Sequence, residues 1–490
     1  MEQLFEEQSI INDINGILSW DMATYMPKNS RNQRSKQINK LYDYKEKVFL
    51  EIKKKELFKK VDIKNLDSLN KSNFDLMKNR FEYFDTIPYS VIKKKTELSI
   101  ETEGLWREAK LKSNFNIVKK SFKKLIELVR EEAEILSQKK NISKYDCLLL
   151  NYDRSISTKK LKEIFWKVEK FIKKKLPLIL KKQTNLTHLD LEENLSENEQ
   201  FELSNIFMKK LGFNFSKGRI DKSMHPFCGG NSEDIRITTR FDKNSSFSCF
   251  DALMHETGHA LYEQGLPKKW QHQPLGNAGG MSLHESQSLF IEMQVIRSLP
   301  VSIFIEKVLR EKLGKKSKSW NYQNIYNTRK RISETNIRVD ADEVHYPLHV
   351  IHRFIMERKI IEDNLSIDEL PDLWNQEFYK LFNRKVFKDN EGCLQDIHWF
   401  GGDIGYFPTY SIGAFIASQL YSCIEKELPN LEDLLKKGNF KSVIKWLNSN
   451  IHQFGSHYKI DSLLRKITGE NLNLKYFQNH IEDRYLKEKK

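Results

Sequence analysis

The scarcity of glycine and proline constrains the fold of this 490-residue chain more than any other feature. The chain contains 20 glycines and 11 prolines, and among the first 211 residues only Gly16 and Gly104 are glycine. Because so few turn-forming residues cannot separate many short elements, the chain must consist of long elements, which means helices. Thirteen of the glycines lie between Gly229 and Gly413. Irregular backbone of that kind is typical of a functional site.

The spacing of apolar residues also indicates helices. In 121–138 and in 161–176, apolar side chains recur every three to four residues, as on the buried face of a helix. The aromatic residues in these stripes are interpreted as core, not as a cofactor site. The alternating segment 234–239 predicts a short strand. Because no repeat, linker or domain boundary is visible, we expect one large, mostly α-helical domain over 1–490 with a small β element.

Composition excludes several classes of protein. Mean hydropathy is −0.62, and no segment approaches the ~20 apolar residues that span a bilayer. The first twenty residues contain acids and no lysine or arginine, unlike a secretory signal. The five cysteines form no CxxC pair and predict free thiols in a reducing compartment. We therefore expect a soluble, cytoplasmic protein without a membrane partner.

The chain carries a net charge of +15, from 82 basic and 67 acidic residues. Such a balance is compatible with a nucleic-acid or membrane-surface partner. However, the lysines occur in short scattered runs inside amphipathic segments, at 53–55, 93–95 and 173–175. The preferred interpretation is solvated helix faces, which makes a nucleic-acid partner unlikely and leaves an anionic partner as the alternative.

A metal-binding motif lies in the glycine-rich region. His255, Glu256 and His259 follow the pattern HExxH. On a helix, residues four apart share a face, so the two imidazoles can bind one Zn²⁺ while Glu256 points at the metal-bound water. The apolar neighbours Leu253, Ala260 and Leu261 fit a buried helix.

A third ligand is needed, and Glu285 is the candidate. It lies 26 residues after His259, near the predicted start of the next helix. The metzincin pattern is excluded because Tyr262 and Gly265 stand where that class has glycine and histidine. Two histidines, one glutamate and an open position make a catalytic zinc site. The alternative for Glu285 is an ordinary surface acid.

The mechanism expected from these parts is hydrolysis of a peptide bond. Zn²⁺ lowers the pKa of its bound water to about 7, and Glu256 takes the proton and passes it to the leaving amine. The oxyanion that forms needs a hydrogen-bond donor. The sequence offers four candidate donors and does not rank them: Tyr406, Tyr410, His398 and His225.

These motifs resemble those of the carboxypeptidase Taq family of metallocarboxypeptidases. The matching motifs are HPF at 225–227, DxRxT at 234–238, HExxH at 255–259, HES(G/Q) at 284–287, I(R/H)(A/V)D at 337–340 and GxxQDxHW at 392–399. The segments 17–27, 145–153 and 401–413 are similar to family sequences as well. The resemblance spans nearly the whole chain, and it implies that Glu285 is the third metal ligand.

The resemblance implies a fold similar to neurolysin and angiotensin-converting enzyme, mostly α with a deep groove. Residues 1–211 would form a helical groove wall, 212–413 the motif-bearing region and 414–490 the C-terminal helices. It also implies a homodimer, Zn²⁺ as cofactor with Co²⁺ able to substitute, and removal of single C-terminal residues from peptides with broad specificity. C-terminal proline is expected to resist removal.

A carboxypeptidase must also recognise a terminal carboxylate, for which the arginine fork is suited. Arg338 and Arg236 lie in the motifs, and Arg338 is favoured as the clamp. The alternative for Arg338 is an ion pair with Asp340 or Asp342. Arg236 is interpreted as a brace on Asp234 rather than a substrate contact.

Each remaining motif residue also has a structural alternative. Tyr406, Tyr410, His398 and His225 would otherwise be hydrogen-bonded residues of the core. His284 is expected beside the metal ligands, and Asp396 is suggested as the residue that orients His398. The close-spaced His345, His349 and His352 are interpreted as structural.

Three other functions remain open beside the metallocarboxypeptidase. One is an endo-oligopeptidase of similar fold, which would cut an amidated peptide internally. Another is a basic nucleic-acid-binding protein, whose binding would depend steeply on salt. The last is an inactive relative. No acid-bearing motif for a free amine, as an aminopeptidase would need, is found.

Overall fold

Long helices make up most of the chain, as its few turn-forming residues require. The computed structural model describes residues 1–186, 188–191 and 193–487. Residues 187 and 192 of the predicted helical part, and 488–490 of the predicted C-terminal helices, lie outside the described residues. The first part of the chain contains α1 (Glu2–Thr24), α2 (Arg31–Lys54), α3 (Ser68–Thr86), α4 (Tyr89–Lys112), α5 (Asn116–Lys140), α6 (Lys144–Leu149), α7 (Thr158–Gln183) and α8 (Glu197–Leu211).

The two apolar stripes predicted to be helical are confirmed. The stripe in 121–138 belongs to α5, and its six apolar side chains from Phe122 to Leu136 are at most 2% exposed. The stripe in 161–176 belongs to α7. Each fully buried side chain of this size contributes roughly 1.5–3 kcal/mol to stability, so the stripes fix which face of each helix meets the core.

The end of α8 shows how local sequence sets a boundary. Ser196 and Glu199 form a capping box at its start, in which each side chain bonds the other residue's backbone. The helix ends at Gly212, whose φ of 92° is accessible to glycine without strain. The glycine-rich part of the chain begins there.

A small sheet follows, and it confirms the predicted strand 234–239. Its strands are β1 (Gly218–Lys222), β2 (Phe227–Asn231) and β3 (Asp234–Thr239), in the order β1-β3-β2. β1 pairs with β3 in parallel and β2 pairs with β3 antiparallel, so that Cys228 lies opposite Ile237. Ile235 and Ile237 are fully buried on the side facing the next helix.

The remaining helices surround this centre. They are α9 (Ser248–Gly265), α10 (Met281–Leu289), α11 (Leu299–Lys312), α12 (Tyr322–Arg329), α13 (Tyr346–Ile361), α14 (Leu370–Phe382), α15 (Pro408–Glu427), α16 (Leu431–Lys436), α17 (Lys441–Asn450), α18 (Ile460–Thr468) and α19 (Lys475–Tyr485). A π-helical segment, Phe290–Ile296, continues α10. The mostly α-helical class with a small β element is therefore confirmed.

The apolar core is unequal across the molecule. One large cluster extends from Trp106 on α4 to Tyr485 on α19. Helices α1, α2 and α3 pack instead through a separate small cluster that includes Phe5, Phe49 and Met77. The motif-bearing helices thus rest on the main core, whereas the first three helices have only a small core of their own.

Among the described residues, no single helix has the length and apolar composition to cross a membrane, and one pair bent by 72°, Pro274–Ile296 with Leu299–Lys312, meets both criteria. All five cysteines are free thiols.

Candidate active site

Helix α9 carries the HExxH motif, as predicted, and close packing brings the third acid to it. Leu253, Ala260 and Leu261 are buried, so this helix lies inside the molecule. A Cβ at Gly258 would lie 2.5 Å from the Cα of Ser288, and only glycine lets α10 approach so near. Glu285 on α10 therefore faces the two histidines.

A second glycine holds Glu285 from the opposite side. A Cβ at Gly413 on α15 would lie 2.7 Å from the Cβ of Glu285. Helix α15 can pack directly on α10 only because this side chain is absent. The glycines of the motif-bearing region thus serve helix packing at the site as well as loops.

Three donor atoms converge here. His255, His259 and Glu285 offer ligand atoms that all lie within 4.8 Å of one another. The Oε2 atom of Glu285 is 3.7 Å from Nε2 of His255 and 3.3 Å from Nε2 of His259. Donors that bind one tetrahedral zinc ion at ~2.0–2.1 Å lie roughly 3.3 Å apart. The donor set therefore fits a divalent cation.

The charges around these donors also favour a cation. Burial disfavours the imidazolium of His255, yet the carboxylates of Glu285, Glu292 and Glu256 outweigh it and raise the pKa of His255 to about 10. Burial, with Glu285 and Glu292 nearby, raises the pKa of Glu256 to about 7. The clustered carboxylates thus stabilise a positive charge at this buried place.

Both histidines are oriented by acids that the sequence analysis did not identify. Nδ1 of His255 lies 2.9 Å from Oε2 of Glu292. Nδ1 of His259 lies 2.6 Å from Nδ1 of His284, whose Nε2 lies 2.8 Å from Oε1 of Glu263. If His259 offers its Nε2 lone pair to a metal, its Nδ1–H donates to His284, and His284 donates to Glu263.

Sequence signals for these two acids existed but were weak. Glu263 lies four residues after His259 on α9, hence on the same face. Glu292 lies seven residues after Glu285, but the intervening π-helical segment changes the register, so spacing alone could not place it. The expectation that His284 lies beside the ligands agrees with its contact to His259.

A second group of side chains surrounds Arg338, which is only 2% exposed. Its Nε donates to Oδ1 of Asp396 at 2.8 Å and its Nη1 donates to the hydroxyl of Tyr346 at 2.7 Å. Its Nη2 is buried without a hydrogen-bond partner among the described residues. An ion pair with Asp340 or Asp342 is therefore wrong, because Asp396 takes that place.

Asp396 is shared between two arginines. Arg353 on α13, fully buried, donates from Nη2 to Oδ2 of Asp396 at 2.8 Å. Burial disfavours the carboxylate, but Arg338 and Arg353 outweigh it and hold the pKa of Asp396 well below its usual range. The suggestion that Asp396 orients His398 is wrong, since Nε2 of His398 lies 2.9 Å from the hydroxyl of Tyr410 instead.

The two candidate tyrosines differ in their neighbours. Their rings lie 5.3 Å apart. Burial raises the pKa of both hydroxyls. The negative charge of Glu285 raises the pKa of Tyr406 further. For Tyr410, the neighbouring Tyr406 raises the pKa and the charge of Arg338 lowers it in part. The guanidinium of Arg338 lies 4.8 Å from the ring centre of Tyr410, so Tyr410 belongs to the group around Arg338.

His398 and His225 are neutral at ordinary pH. Burial and the Arg338 charge lower the pKa of His398 to about 3. Desolvation by the surrounding walls and the same charge lower the pKa of His225 to about 4, although its side chain reaches solvent. That combination is expected for a group inside an open cleft.

Arg236 contacts Asp234 and Trp20. It donates from Nη2 to Oδ2 of Asp234 at 2.9 Å, and its guanidinium lies 4.3 Å from the ring centre of Trp20 on α1. Two residues of the second group, Arg353 and Tyr346, escaped the sequence analysis because they lie outside the short motifs. His345, His349 and His352 are buried at the start of α13, as expected of structural histidines.

Comparison with known proteins agrees with this arrangement. A sequence model of the carboxypeptidase Taq (M32) metallopeptidase family matches residues 1–485. "Thermostable carboxypeptidase 1" of Pyrococcus furiosus is 31% identical over 99% of this chain and 100% of that protein. "Carboxypeptidase 1" of Bacillus subtilis is 31% identical over 96% of this chain and 94% of that protein.

A solved structure shows the same fold. "Trypanosoma Cruzi Metallocarboxypeptidase 1" superposes with a TM-score of 0.93 and 33% identity, covering 99% of this chain and 98% of that one. Its match extends over the sheet, the HExxH helix and the C-terminal helices alike. This chain belongs to the carboxypeptidase Taq (M32) family of metallopeptidases.

Proposed function

We propose that this chain is a zinc-dependent carboxypeptidase that removes single C-terminal residues from peptides with broad specificity. One observation carries the proposal: the site combines a three-donor metal cluster with a buried arginine whose Nη2 has no hydrogen-bond partner among the described residues. Burial raises the pKa of Glu285, and the charge of Arg338 is near enough to offset a small part of that rise, so we infer that the two groups act on one substrate.

His255, His259 and Glu285 are the proposed metal ligands. A zinc ion held by them, or cobalt in its place, would supply Lewis-acid polarisation of the scissile carbonyl and an acidified water. Glu292 and Glu263 keep the two imidazoles in the tautomers that ligation requires. The accessible side chains of His255 and His259, 21% and 12% exposed, leave room for a substrate.

Glu256 is proposed as the general base and then the general acid. Burial and the neighbouring carboxylates raise its pKa to about 7, near the pH at which a base is most effective. It takes the proton from the attacking water and gives it to the leaving amine. It is not among the three ligating donors, so it is free to move a proton.

Arg338 is proposed to bind the terminal carboxylate of the peptide through Nη2. Asp396 and Tyr346 hold the other nitrogens, which fixes the direction of the free one. A buried, unpaired guanidinium N–H is costly, and a substrate carboxylate would satisfy it. Arg236 is proposed to brace the wall, and His225 to line the cleft on the same side.

Tyr406 is the proposed oxyanion donor because Tyr410 is already bonded to His398 and lies 4.8 Å from Arg338, whereas Glu285 exerts the largest charge effect on Tyr406. Tyr410 and His398 form a hydrogen-bonded pair between the clamp and the metal cluster. A neutral His398 can donate a hydrogen bond without repelling the cationic Arg338. We also propose a homodimer and, from its free thiols, a cytoplasmic location.

The experiment is digestion of one octapeptide, with a free or an amidated C-terminus, by the zinc-loaded protein, read by mass spectrometry. A ladder of single-residue losses from the free peptide alone is the expected result. Internal cuts in both peptides would replace the proposal with an endo-oligopeptidase. Absence of cutting with zinc bound would contradict a broad peptidase.

A further inference from the structure

We propose that the outer face of helix α7 binds anionic lipid surfaces. The helix contains ten lysines and two glutamates within 26 residues, so its net charge of 10 − 2 = +8 is over half of the chain's +15. This surface lies outside the cleft described above, and its proposed role does not depend on the peptidase reaction.

The fold sorts these lysines into two groups. Lys160, Lys175 and Lys182 point inward and are held by Asp461, Glu482 and the carbonyl of Leu486. The other seven are exposed: Lys159, Lys162, Lys167, Lys170, Lys173, Lys174 and Lys181. Among the described residues, only Lys173 of these seven has an ion pair, with Glu169.

The exposed lysines form one continuous face. At about 100° per residue, all seven exposed lysines lie within an arc of roughly 140°, and Trp166 lies inside the same arc. A helix of this length extends about 39 Å. The sequence analysis treated the lysine runs as scattered, and it could not see that this helix directs them outward together.

Exposed apolar side chains interrupt the charge. Trp166 is 62% exposed and Leu178 is 51% exposed on the same helix. The ammonium of Lys170 lies 5.2 Å from the centre of the Trp166 ring. Next to them, a groove of about 620 Å³ lies between α7 and the segment 470–478, with Leu472 and Leu474 in its lining.

This chemistry fits a bilayer surface better than nucleic acid or protein. Tryptophan is enriched at the boundary of water and lipid, and clustered lysines attract anionic headgroups. The exposed face contains lysine but no arginine, whereas bidentate recognition of phosphate and bases relies on arginine. A protruding tryptophan on a convex helix can enter an interface, as amphipathic surface helices do.

The test is co-sedimentation of the full-length protein with vesicles of phosphatidylcholine alone or with about 30% phosphatidylglycerol. We expect binding to the anionic vesicles only, weakened as salt rises from roughly 0.1 to 0.5 M because screening shortens the reach of surface charge. The triple variant K167E/K170E/K174E should bind on the order of a hundredfold more weakly.

A matched control is the triple variant K124E/K139E/K140E on α5, which makes the same change in net charge at other exposed lysines. It should bind nearly as the unmodified protein does. Both triple variants should keep their peptidase activity and thermal stability. Equal loss of binding in the two variants would mean that net charge alone attracts the lipid, and would overturn the assignment to α7.

Trp166 gives an independent readout. Brominated lipid should quench part of the tryptophan fluorescence, and that part should disappear in Trp166→Phe although seven other tryptophans remain. Unchanged quenching in Trp166→Phe would overturn the proposal. So would a protein that ignores anionic vesicles but binds a single-stranded oligonucleotide through the same lysines.

Discussion

The metal cluster and the proposed Arg338 clamp are two halves of the candidate site with opposite charge requirements. In the metal half, Glu285, Glu292 and Glu256 surround His255 and raise its pKa to about 10. In the clamp half, two buried arginines share the single carboxylate of Asp396. The carboxylates of the first half favour a cation, and the arginines of the second favour an anion. A metal ion and a peptide carboxylate would complete both, which is what a metallocarboxypeptidase needs.

We expect the largest effect from removing the proposed proton carrier of the metal half. We expect Glu256→Gln to lower kcat by roughly a thousandfold or more. Metal content, measured by elemental analysis, should stay near one ion per chain, because Glu256 is not among the ligating donors. A variant that loses its metal would show that Glu256 acts as a ligand, and one that keeps full activity would contradict the mechanism.

The next effect concerns the group between the two halves. Tyr406→Phe should lower kcat by about a hundredfold with little change in KM, because an oxyanion donor acts mainly in the transition state. Tyr410→Phe is the matched variant on the clamp side, and its effect on kcat should be smaller. The reverse order would assign the oxyanion to Tyr410.

Substitutions in the clamp half should change which peptides are cleaved rather than the proton transfer. We expect Arg338→Lys to lower kcat/KM about a hundredfold for peptides with a free C-terminus. The positive charge is kept, but the fixed fork is lost. Arg353→Lys is the control, since Arg353 shares Asp396 but is itself fully buried. Equal losses in the two variants would mean that Arg338 serves only to hold Asp396.

The two halves also differ in how far the sequence could predict them. The metal half is local: HExxH and Glu285 lie on successive helices. Helical spacing predicted the shared face of His255 and His259, and the family resemblance implied Glu285. The clamp half joins Arg338, Asp396 and Arg353 from three separate segments. Helical spacing carries no information about such pairings. The suggestion that Asp396 orients His398 is therefore wrong, and so is the alternative that Arg338 pairs with Asp340 or Asp342.

The overall fold could be predicted from the sequence more fully than the individual contacts. Apolar periodicity in α5 and α7 and alternation in β3 arise from burial of one face, and they hold whatever the partner is. The roles of Gly258 and Gly413 were not foreseen. Their absent side chains matter only because α10 and α15 approach from elsewhere in the chain.

The two acids that orient the histidines of the metal half differ in their contacts. Glu292 contacts its histidine directly, whereas Glu263 contacts its histidine through another side chain. Glu292→Gln removes the carboxylate at 2.9 Å from His255, whereas Glu263→Gln acts on His259 through His284. We expect metal affinity, measured by competition with a chelator, to fall about 10–100-fold in each, with the larger fall for Glu292. Unchanged affinity in both variants would contradict an orienting role.

The smallest expected effect tests the support beneath the clamp half. Glu357, fully buried, accepts hydrogen bonds from the Tyr145 hydroxyl at 2.6 Å and from Trp399 Nε1 at 3.0 Å. Burial raises its pKa from 4.5 to about 7, so the folded protein holds a proton that the unfolded chain releases. The resulting stability is complete below about pH 4.5 and is lost as the pH rises through about 7.

Between roughly pH 5 and 8, the Tm should therefore fall a few degrees further in the unmodified protein than in Glu357→Gln, whose side chain does not titrate. Parallel Tm curves for the two proteins would show that Glu357 is ionised in the folded state. The carboxylate beneath Trp399 would then add a second negative charge to the clamp half, which would weaken the case that this half takes its negative charge from the substrate.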